Sequence, residues 1–275
     1  MSAAAPTDRL ARIGRQVGVA ALLVGLLVPF VPLLVWAVSR RWRYPALVPT
    51  EFSARALTFL VSDRSGVVEG FRNSAIIALT VAVLAGLVGL SAGRALGLYR
   101  FRGKRVVQFL VLAPVIVPPL AITLGVHVVF IRVGLANTIP GVVLVHLIPT
   151  IPYVTLVMAS VYANYDPAYE EQARVLGAGP VATFRHVTLP QVFPGLAVAG
   201  LFAFLISWSE YILTLLVGGG RVQTLPLLLF SFLQGTDTSV AAALSLVFIV
   251  PAIVLLLLTT RYLAGGASIA GFGKV

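Results

Sequence analysis

Six apolar runs, each about 20 residues or longer, are spread along this chain, and that length is enough to cross the hydrocarbon core of a bilayer as an α-helix. We draw them at residues 17–39, 73–93, 106–131, 138–162, 193–217 and 239–260. Inside a bilayer the backbone polar groups of such a segment must be satisfied within the segment, which favours helices. The sequence therefore predicts an all-α membrane protein with about six transmembrane helices.

Composition supports this class. Of the 275 residues, 59% are hydrophobic and only 11% are charged, whereas a soluble domain has about 25% charged residues. The net charge of +11 would indicate a nucleic-acid partner in a soluble protein. Here the basic residues lie at the ends of apolar runs, so we expect them to contact lipid headgroups and expect no nucleic acid. The chain has no cysteine, and its three histidines lack the spacing of metal ligands.

The distribution of charge also predicts an orientation. Arg94–Arg105, between the second and third runs, is short and strongly basic, which is typical of a cytoplasmic loop. An even number of spans then puts both termini on the cytoplasmic side. The first run is longer than the apolar part of a signal peptide, which is about 7–15 residues, so we expect it to be retained. The predicted segments are a cytoplasmic segment 1–16, a first span 17–39, an external segment 40–72, a core 73–262 and a cytoplasmic tail 263–275.

The longest polar interval in the second half of the chain, Asp166–Pro194, predicts a short helix-turn-helix between two spans. Asp166 and Pro167 are typical of a helix start. Gly177 follows about ten residues later and suits a left-handed cap at the helix end. Gly179 and Pro180 then begin a second helical piece, which we expect Pro190 to interrupt.

The order of residues in this interval resembles the EAA motif of the permease subunits of binding-protein-dependent ABC importers, E-A-A-x3-G-x9-I-x-L-P. The matching positions are Glu171, Ala173, Gly177, Leu189 and Pro190, while Gln172 and Val187 depart from the motif. The alternative is an ordinary surface helix-turn in a loop. Further similar segments, such as Phe71-Arg72-Asn73-Ser74 and Thr224-Leu225-Pro226, extend the resemblance over about residues 70–262.

This resemblance implies a type I ABC importer permease core of five spans, with the EAA loop at 163–192 acting as a cytoplasmic coupling helix. It implies four further components: two ATPase subunits that bind ATP and Mg²⁺, a second permease that is a different chain, and an extracytoplasmic solute-binding protein. It also implies a bacterial cytoplasmic (inner) membrane. The coupling residues by resemblance are Glu170, Glu171, Ala173, Gly177, Leu189 and Pro190. Glu171 would make or orient ATPase contacts, Ala173 would permit close approach, and Gly177 would set the turn.

The transported solute is less constrained. The segment Gly134–Thr138, together with His146 and Thr224–Pro226, is most similar to spermidine/putrescine permeases. Sugar permeases are close relatives and often carry a similar Trp-x-Glu. Polyamines, sugars, phosphonates, thiamine and other small solutes therefore all stay open.

Glu210 is the one acidic residue inside a predicted span, and an ionisable group there is costly unless it has a partner or a role. Glu210 is a candidate for the translocation path, and Trp208 and His146 are further candidates for it. The alternative is structural: an acid that hydrogen-bonds near the interface, and a histidine that is a neutral core residue.

No catalytic constellation is apparent. Gly97…Gly103-Lys104-Arg105 has the wrong spacing for a nucleotide-binding loop and lacks its Ser or Thr. We therefore expect a non-catalytic subunit without a bound cofactor, whose ATP is hydrolysed by a separate chain. A stand-alone secondary transporter or channel is the alternative function, and an intramembrane enzyme would need a clustered acid and base that the sequence does not contain.

Overall fold

The computed structural model describes residues 6–42, 46 and 48–265. Its helices, in chain order, are α1 (Pro6–Leu27), α2 (Phe30–Ala37), α3 (Arg55–Leu60), α4 (Val67–Leu98), α5 (Lys104–Ile116), α6 (Pro119–Arg132), α7 (Ile139–Ala163), α8 (Ala168–Val175), α9 (Pro180–Thr183), α10 (Leu189–Trp208), α11 (Ile212–Gly218), α12 (Leu225–Gln234) and α13 (Thr238–Gly265). A 3₁₀ turn spans Asp63–Ser65 and a π-helical turn spans Phe184–Thr188. Residues 1–5 of the predicted N-terminal segment and 266–275 of the predicted tail lie outside the described residues.

The all-α prediction is confirmed, with one small addition. Strands β1 (Ser39–Arg41) and β2 (Glu51–Phe52) pair antiparallel, from the last residue of the first predicted span into the predicted external segment. Among the described residues, five helical stretches are long and apolar enough to span a membrane, and a bent pair formed by α5 and α6 brings the number to six. This agrees with the predicted number of about six.

The bounds of the spans differ from the prediction where local backbone geometry decides them. The predicted span 73–93 is part of a longer helix, α4, which starts after Gly66 in a left-handed conformation (φ 67°) and ends where Tyr99 becomes extended. Helix α4 thus begins six residues before the predicted span. At the other end of the chain, residues 6–16 of the predicted N-terminal segment already belong to α1.

Two predicted spans are broken. The run 106–131 forms α5 and α6, which meet at an angle of 95°. Pro118 and Pro119 explain the break, because a residue before proline is driven out of the helical region and Pro118 has a ψ of 128°. The run 193–217 ends α10 at Trp208 and resumes as α11, and the Ser209 hydroxyl donates back to the Leu205 carbonyl at 2.8 Å. The prolines of the run 106–131 had left open either a bent helix or a packing kink, and the structure has the bend. The break at Ser209 was not predicted.

The chain divides into two compact units within its described residues. The first comprises residues 6–65 and 231–248. Within it, the Ser239 hydroxyl donates to the Ser39 carbonyl at 2.9 Å, and an Arg55 N–H donates to Asp237 Oδ2 at 2.7 Å. The Arg55–Asp237 pair is partly solvent-exposed, so its net contribution to stability is small.

The second unit, residues 66–230 and 249–265, is built around α4, α7 and α10. Every fourth residue of α4 is buried against its neighbours: Asn73, Ile77, Val81, Ala85, Gly89 and Gly93. A Cβ placed on Gly93 would lie only 2.4 Å from the Cβ of Met158 in α7. Close backbone approach of this kind stabilises helix pairs in lipid, where apolar burial alone gives little driving force.

One buried cluster lies where these three helices meet, at the end of the unit that carries α8. It includes Val154, Met158, Tyr162, Tyr165, Val192 and Ala199. Tyr162 and Tyr165 pack edge to face with ring centroids 5.9 Å apart. This cluster holds the ends of α7 and α10 at fixed positions beside α8.

We expect Gly93→Val to lower the thermal unfolding midpoint of the detergent-solubilised chain, because the new side chain would clash with Met158 and overpacking typically costs about 1–3 kcal/mol. Gly125→Val is the matched control, since it changes a helical glycine whose added Cβ would meet nothing within 4 Å. Equal midpoints for the two variants would contradict the role of the α4 glycines.

Candidate functional site

Helix α8 begins as the sequence predicted. Pro167 precedes it in the helical region (φ −64°), and Asp166 Oδ1 accepts a hydrogen bond from the backbone N–H of Ala168 at 2.9 Å. Glu170 and Glu171 occupy the first turn, where the partial positive charge of the helix N-terminus favours acidic groups. Local sequence therefore specifies where this helix begins.

The end of α8 explains the spacing between Ala173 and Gly177. The N–H of Ala178 donates to the Ala173 carbonyl at 3.0 Å, and the N–H of Gly177 donates to the Arg174 carbonyl at 2.9 Å. This pair of bonds is a Schellman motif, which requires a left-handed residue at the position of Gly177. Its φ is +88°, so the predicted left-handed cap is confirmed.

The predicted interruption at Pro190 is wrong. Residues 180–208 form one continuous helical stretch, in which α9 leads through the π-helical turn into α10. The Leu189 N–H donates to the Phe184 carbonyl, five residues back, and Pro190 follows directly in the first turn of α10. Pro190 is thus accommodated by a wider turn, and residues 180–192 of the predicted loop are helical.

A buried carboxylate on the inner side of α8 joins this helix to the rest of the unit. The Glu170 side chain is only 5% exposed. Two Arg94 N–H groups donate to its two oxygens at 2.8 and 2.7 Å. The hydroxyls of Thr188 and Tyr165 donate to Oε1 at 2.7 and 3.1 Å, and Arg174 lies 3.4 Å from Oε2.

These contacts control the protonation of the site. The hydrogen bonds from Arg94 lower the pKa of the Glu170 carboxyl from 4.5 to about 2, against the opposing effect of burial and with further help from Thr188. Burial raises the pKa of the Tyr165 hydroxyl, which therefore stays protonated as a donor. At neutral pH the site is a fixed carboxylate surrounded by donors.

The outer side of α8 and the following turn expose apolar side chains. Val175, Leu176 and Val181 are 88%, 87% and 79% exposed, and Tyr169 is half exposed. Glu171 is also exposed. Such a cluster of exposed apolar residues on a polar connection is typical of an interaction surface.

A second polar cluster lies within the bundle around His146. Its Nδ1 is 2.9 Å from the Ser207 hydroxyl and its Nε2 is 2.9 Å from the Thr214 hydroxyl. Trp208 is buried and stacks on Phe204 at 5.4 Å. Both ring nitrogens of His146 thus have partners, which favours a packing role for this residue and for Trp208.

Glu210 lies in the break between α10 and α11 and not inside a helix. Its Oε1 accepts a hydrogen bond from the Leu213 N–H at 3.1 Å, which caps the start of α11. It also lines two small clefts, one beside His146 and one beside Pro149. Glu210 therefore has a local structural contact and also borders two tight gaps between the helices.

The sequence did not identify Arg94, Thr188 or Tyr165 as partners of Glu170. Arg94 was assigned to the basic loop, although it lies one turn before the end of α4. The only available signal was an arginine directly after Gly93, near the end of a long apolar run. Within the described part of the chain, no group of three His, Asp or Glu residues lies close enough to hold a metal ion.

Comparison with known families gives one match that covers most of the chain. Residues 85–264 match the family described as binding-protein-dependent transport system inner membrane component. A putative ABC transporter permease protein, ORF1 of Streptomyces antibioticus, is 30% identical over 198 residues, which are 70% of this chain and 86% of that protein. The spermidine/putrescine transport system permease protein PotC of Haemophilus influenzae is 30% identical over 187 residues, 68% of this chain and 73% of PotC.

Among solved structures, the fold is similar to a chain of a bacterial ABC transporter involved in the import of the acidic polysaccharide alginate. The TM-score is 0.69 at 18% identity, with 95% of this chain and 99% of that chain covered. At this identity the likeness concerns the fold.

We expect the stability provided by Glu170 to be lost only in strong acid. A carboxyl whose pKa falls from 4.5 to about 2 on folding stabilises the fold fully above about pH 4.5, and progressively less as the pH falls towards 2. The thermal midpoint of Glu170→Gln should therefore lie below that of the unchanged chain by a constant amount above about pH 5, and the gap should close in acid. Glu171→Gln, which removes an exposed carboxylate from the next position, is the control. A gap that is unchanged at the lowest pH would contradict the assignment.

Proposed function

This chain belongs to the family of binding-protein-dependent transport system inner membrane components and is a permease subunit of an ABC importer, and we propose that α8 is the helix through which separate ATPase subunits drive it. The observation that carries the proposal is the contrast between the two sides of α8. Its inner side is fixed by Glu170, whereas Val175 and Leu176 at its end are 88% and 87% exposed. Apolar side chains at the end of a polar connection need a partner surface to cover them.

The partner has the chemistry of an ATPase with a groove that accepts a short helix. Two such subunits would bind ATP and Mg²⁺, and this chain would hydrolyse none. Glu171, exposed beside the buried Glu170, would contact or orient the ATPase. Ala173 and Gly177 would shape the contact, because they form the two ends of the capping motif. Leu189 and Pro190 would serve indirectly, through the wider turn that leads into α10.

We propose that the end of the second unit that carries α8 faces the cytoplasm of a bacterial cell. The contact between Arg94 and Glu170 supports it, because it brings the basic segment 94–105 and α8 to the same end. A short basic segment is favoured on the cytoplasmic side. With six spans both termini would be cytoplasmic, and the segment before α4 would be external.

Transport would also need a second permease and an extracytoplasmic solute-binding protein. We propose a different chain as the second permease and a small organic solute, a polyamine or a sugar, as the substrate. The spermidine/putrescine permease among the relatives supports the polyamine. Glu210 supports a cationic or hydroxyl-rich solute, since it lines clefts within the bundle. His146 and Trp208 would border this path as packing residues. Family membership leaves the stand-alone secondary transporter without support.

The direct test uses the chain assembled in lipid nanodiscs with the ATPase, second permease and binding protein of its own organism. We expect binding protein loaded with one class of solute to stimulate ATP hydrolysis, while the other classes do not. Polyamines, sugars and phosphonates are added one at a time. If no ATPase assembles with the unchanged chain, the proposed function is wrong.

The exposed surface of α8 gives a sharper prediction. Leu176→Glu should abolish co-purification of the ATPase, because it puts a charge into a contact that must lose water. The chain itself should remain folded, since this side chain is 87% exposed. Val61→Glu, at a residue that is 74% exposed outside α8, is the control. Retention of the ATPase by Leu176→Glu at the level of the control would place the contact elsewhere.

Glu210→Gln separates the charge of this side chain from its capping role. Glutamine can still accept from the Leu213 N–H, so the start of α11 should persist while the charge is removed. We expect a loss of uptake of about tenfold or more for a cationic solute, with ATPase assembly retained. Glu69→Gln, which removes an exposed acid from the first turn of α4, is the control. Unchanged uptake and affinity would assign Glu210 to a structural role alone.

A further inference from the structure

One carboxylate is shared by four elements of the second unit. Glu170 on α8 accepts from Arg94 on α4, from Tyr165 just after α7, and from Thr188 in the π-helical turn before α10. The helices α4, α7 and α10 also pack on one another more extensively than any other elements. Glu170 therefore ties α8 to α4, to the end of α7 and to the turn that leads into α10.

The Arg94 end of the contact is itself held in place. Its guanidinium lies 5.9 Å from the centre of the Tyr162 ring, and Tyr162 is 1% exposed. A planar guanidinium that gives two parallel hydrogen bonds to a carboxylate resists both rotation and displacement. Because the pair is shielded from water, salt screens it little. The ion pair of Arg94 and Glu170, which we call the joint, thus connects α8 rigidly to α4.

The connections on either side of α8 are of a different kind. Residues 164–167 precede it, and residues 176–179, with Gly177 in the left-handed region, follow it. A helix of eight residues is too short to be stable without tertiary contacts. Without the joint, these short connections would absorb a displacement of α8, and it would not reach α4.

We infer that Arg94 is a positioning residue for transport: by holding Glu170 it makes α8, α4, α7 and α10 move as one body when an ATPase displaces α8. This inference rests on the proposed function of α8. It assigns a role in coupling to a residue at the end of a span, 76 positions before its partner. Loss of the joint should let ATP hydrolysis continue while the spans no longer follow it.

The test measures solute uptake and ATP hydrolysis in the same reconstituted complex. Three variants are compared with the unchanged chain: Glu170→Gln, Arg94→Lys and the double variant Arg94→Gln with Glu170→Gln. Arg94→Lys keeps the charge but loses the two parallel hydrogen bonds. The double variant leaves no unpaired charge in the buried site, so it should fold even where a single variant does not. Arg102→Gln removes an exposed arginine from the adjacent loop and is the control.

We expect ATPase assembly to persist in Arg94→Lys and in the double variant, and uptake per ATP hydrolysed to fall about tenfold or more in the double variant. Arg94→Lys should fall between the double variant and the unchanged chain, and Arg102→Gln should match the unchanged chain. A double variant with normal uptake per ATP overturns the inference, and so does one that loses ATPase assembly altogether, because the pair would then only hold the fold. If the unchanged chain itself binds no ATPase, the proposed function fails instead.

A second measurement does not depend on transport. Since the chain has no cysteine, spin labels can be placed at the exposed positions Gln172 and Ser91, on α8 and α4. The distance between them should stay narrowly distributed when ATP binds to the assembled complex. In the double variant the distribution should widen or shift with ATP, because α8 then moves alone. A distribution that is equally narrow in both would contradict a joint at Arg94.

Discussion

The burial of one carboxylate constrains much of the second unit. A charged group removed from water is costly unless it is paired and fully hydrogen-bonded, and Glu170 meets this requirement only with donors from α4, from the end of α7 and from the turn before α10. Those donors converge only after the three helices have packed. Helix α8 is therefore attached to a completed core, and the position of its exposed side follows from that core.

The core can hold the donors in place because its helices approach closely. Gly89 and Gly93 of α4 leave room for Val154 and Met158 of α7, so Arg94, the next residue of α4, reaches the end of the unit where α8 lies. The π-helical turn has a comparable effect on the other side. By widening the helix before Pro190, it places Thr188 within 2.7 Å of the Glu170 carboxylate. The glycines of α4 thus position Arg94, and the π-helical turn positions Thr188, so that both donate to Glu170.

Local signals in the sequence predicted the parts of the site that local geometry decides. The length of the apolar runs predicted the number of spans, and the spacing of Ala173 and Gly177 predicted the capped helix. Contacts between distant residues leave no comparable local pattern, so the pairing of Arg94 with Glu170 was missed. The break at Pro118 could not be settled from the sequence for a related reason: in a membrane helix a proline can be tolerated or can end the helix, and its neighbours decide which. Pro149 and Pro152 lie inside an unbroken α7.

Two adjacent acidic residues on α8 have opposite environments, and they distinguish its inner, buried side from its outer, exposed side. Successive residues on an α-helix point about 100° apart, so Glu170 can be buried in the joint while Glu171 stays exposed. The ion pair of Glu170 cannot also be available to a partner protein without breaking the joint. The outer contact and the inner anchor therefore have to be different residues. In the proposed coupling, a displacement imposed at Glu171 and Leu176 would cross only the width of α8 before it reached Arg94. A path this short would suit an eight-residue helix to the proposed transmission of motion into the longer helices of the core.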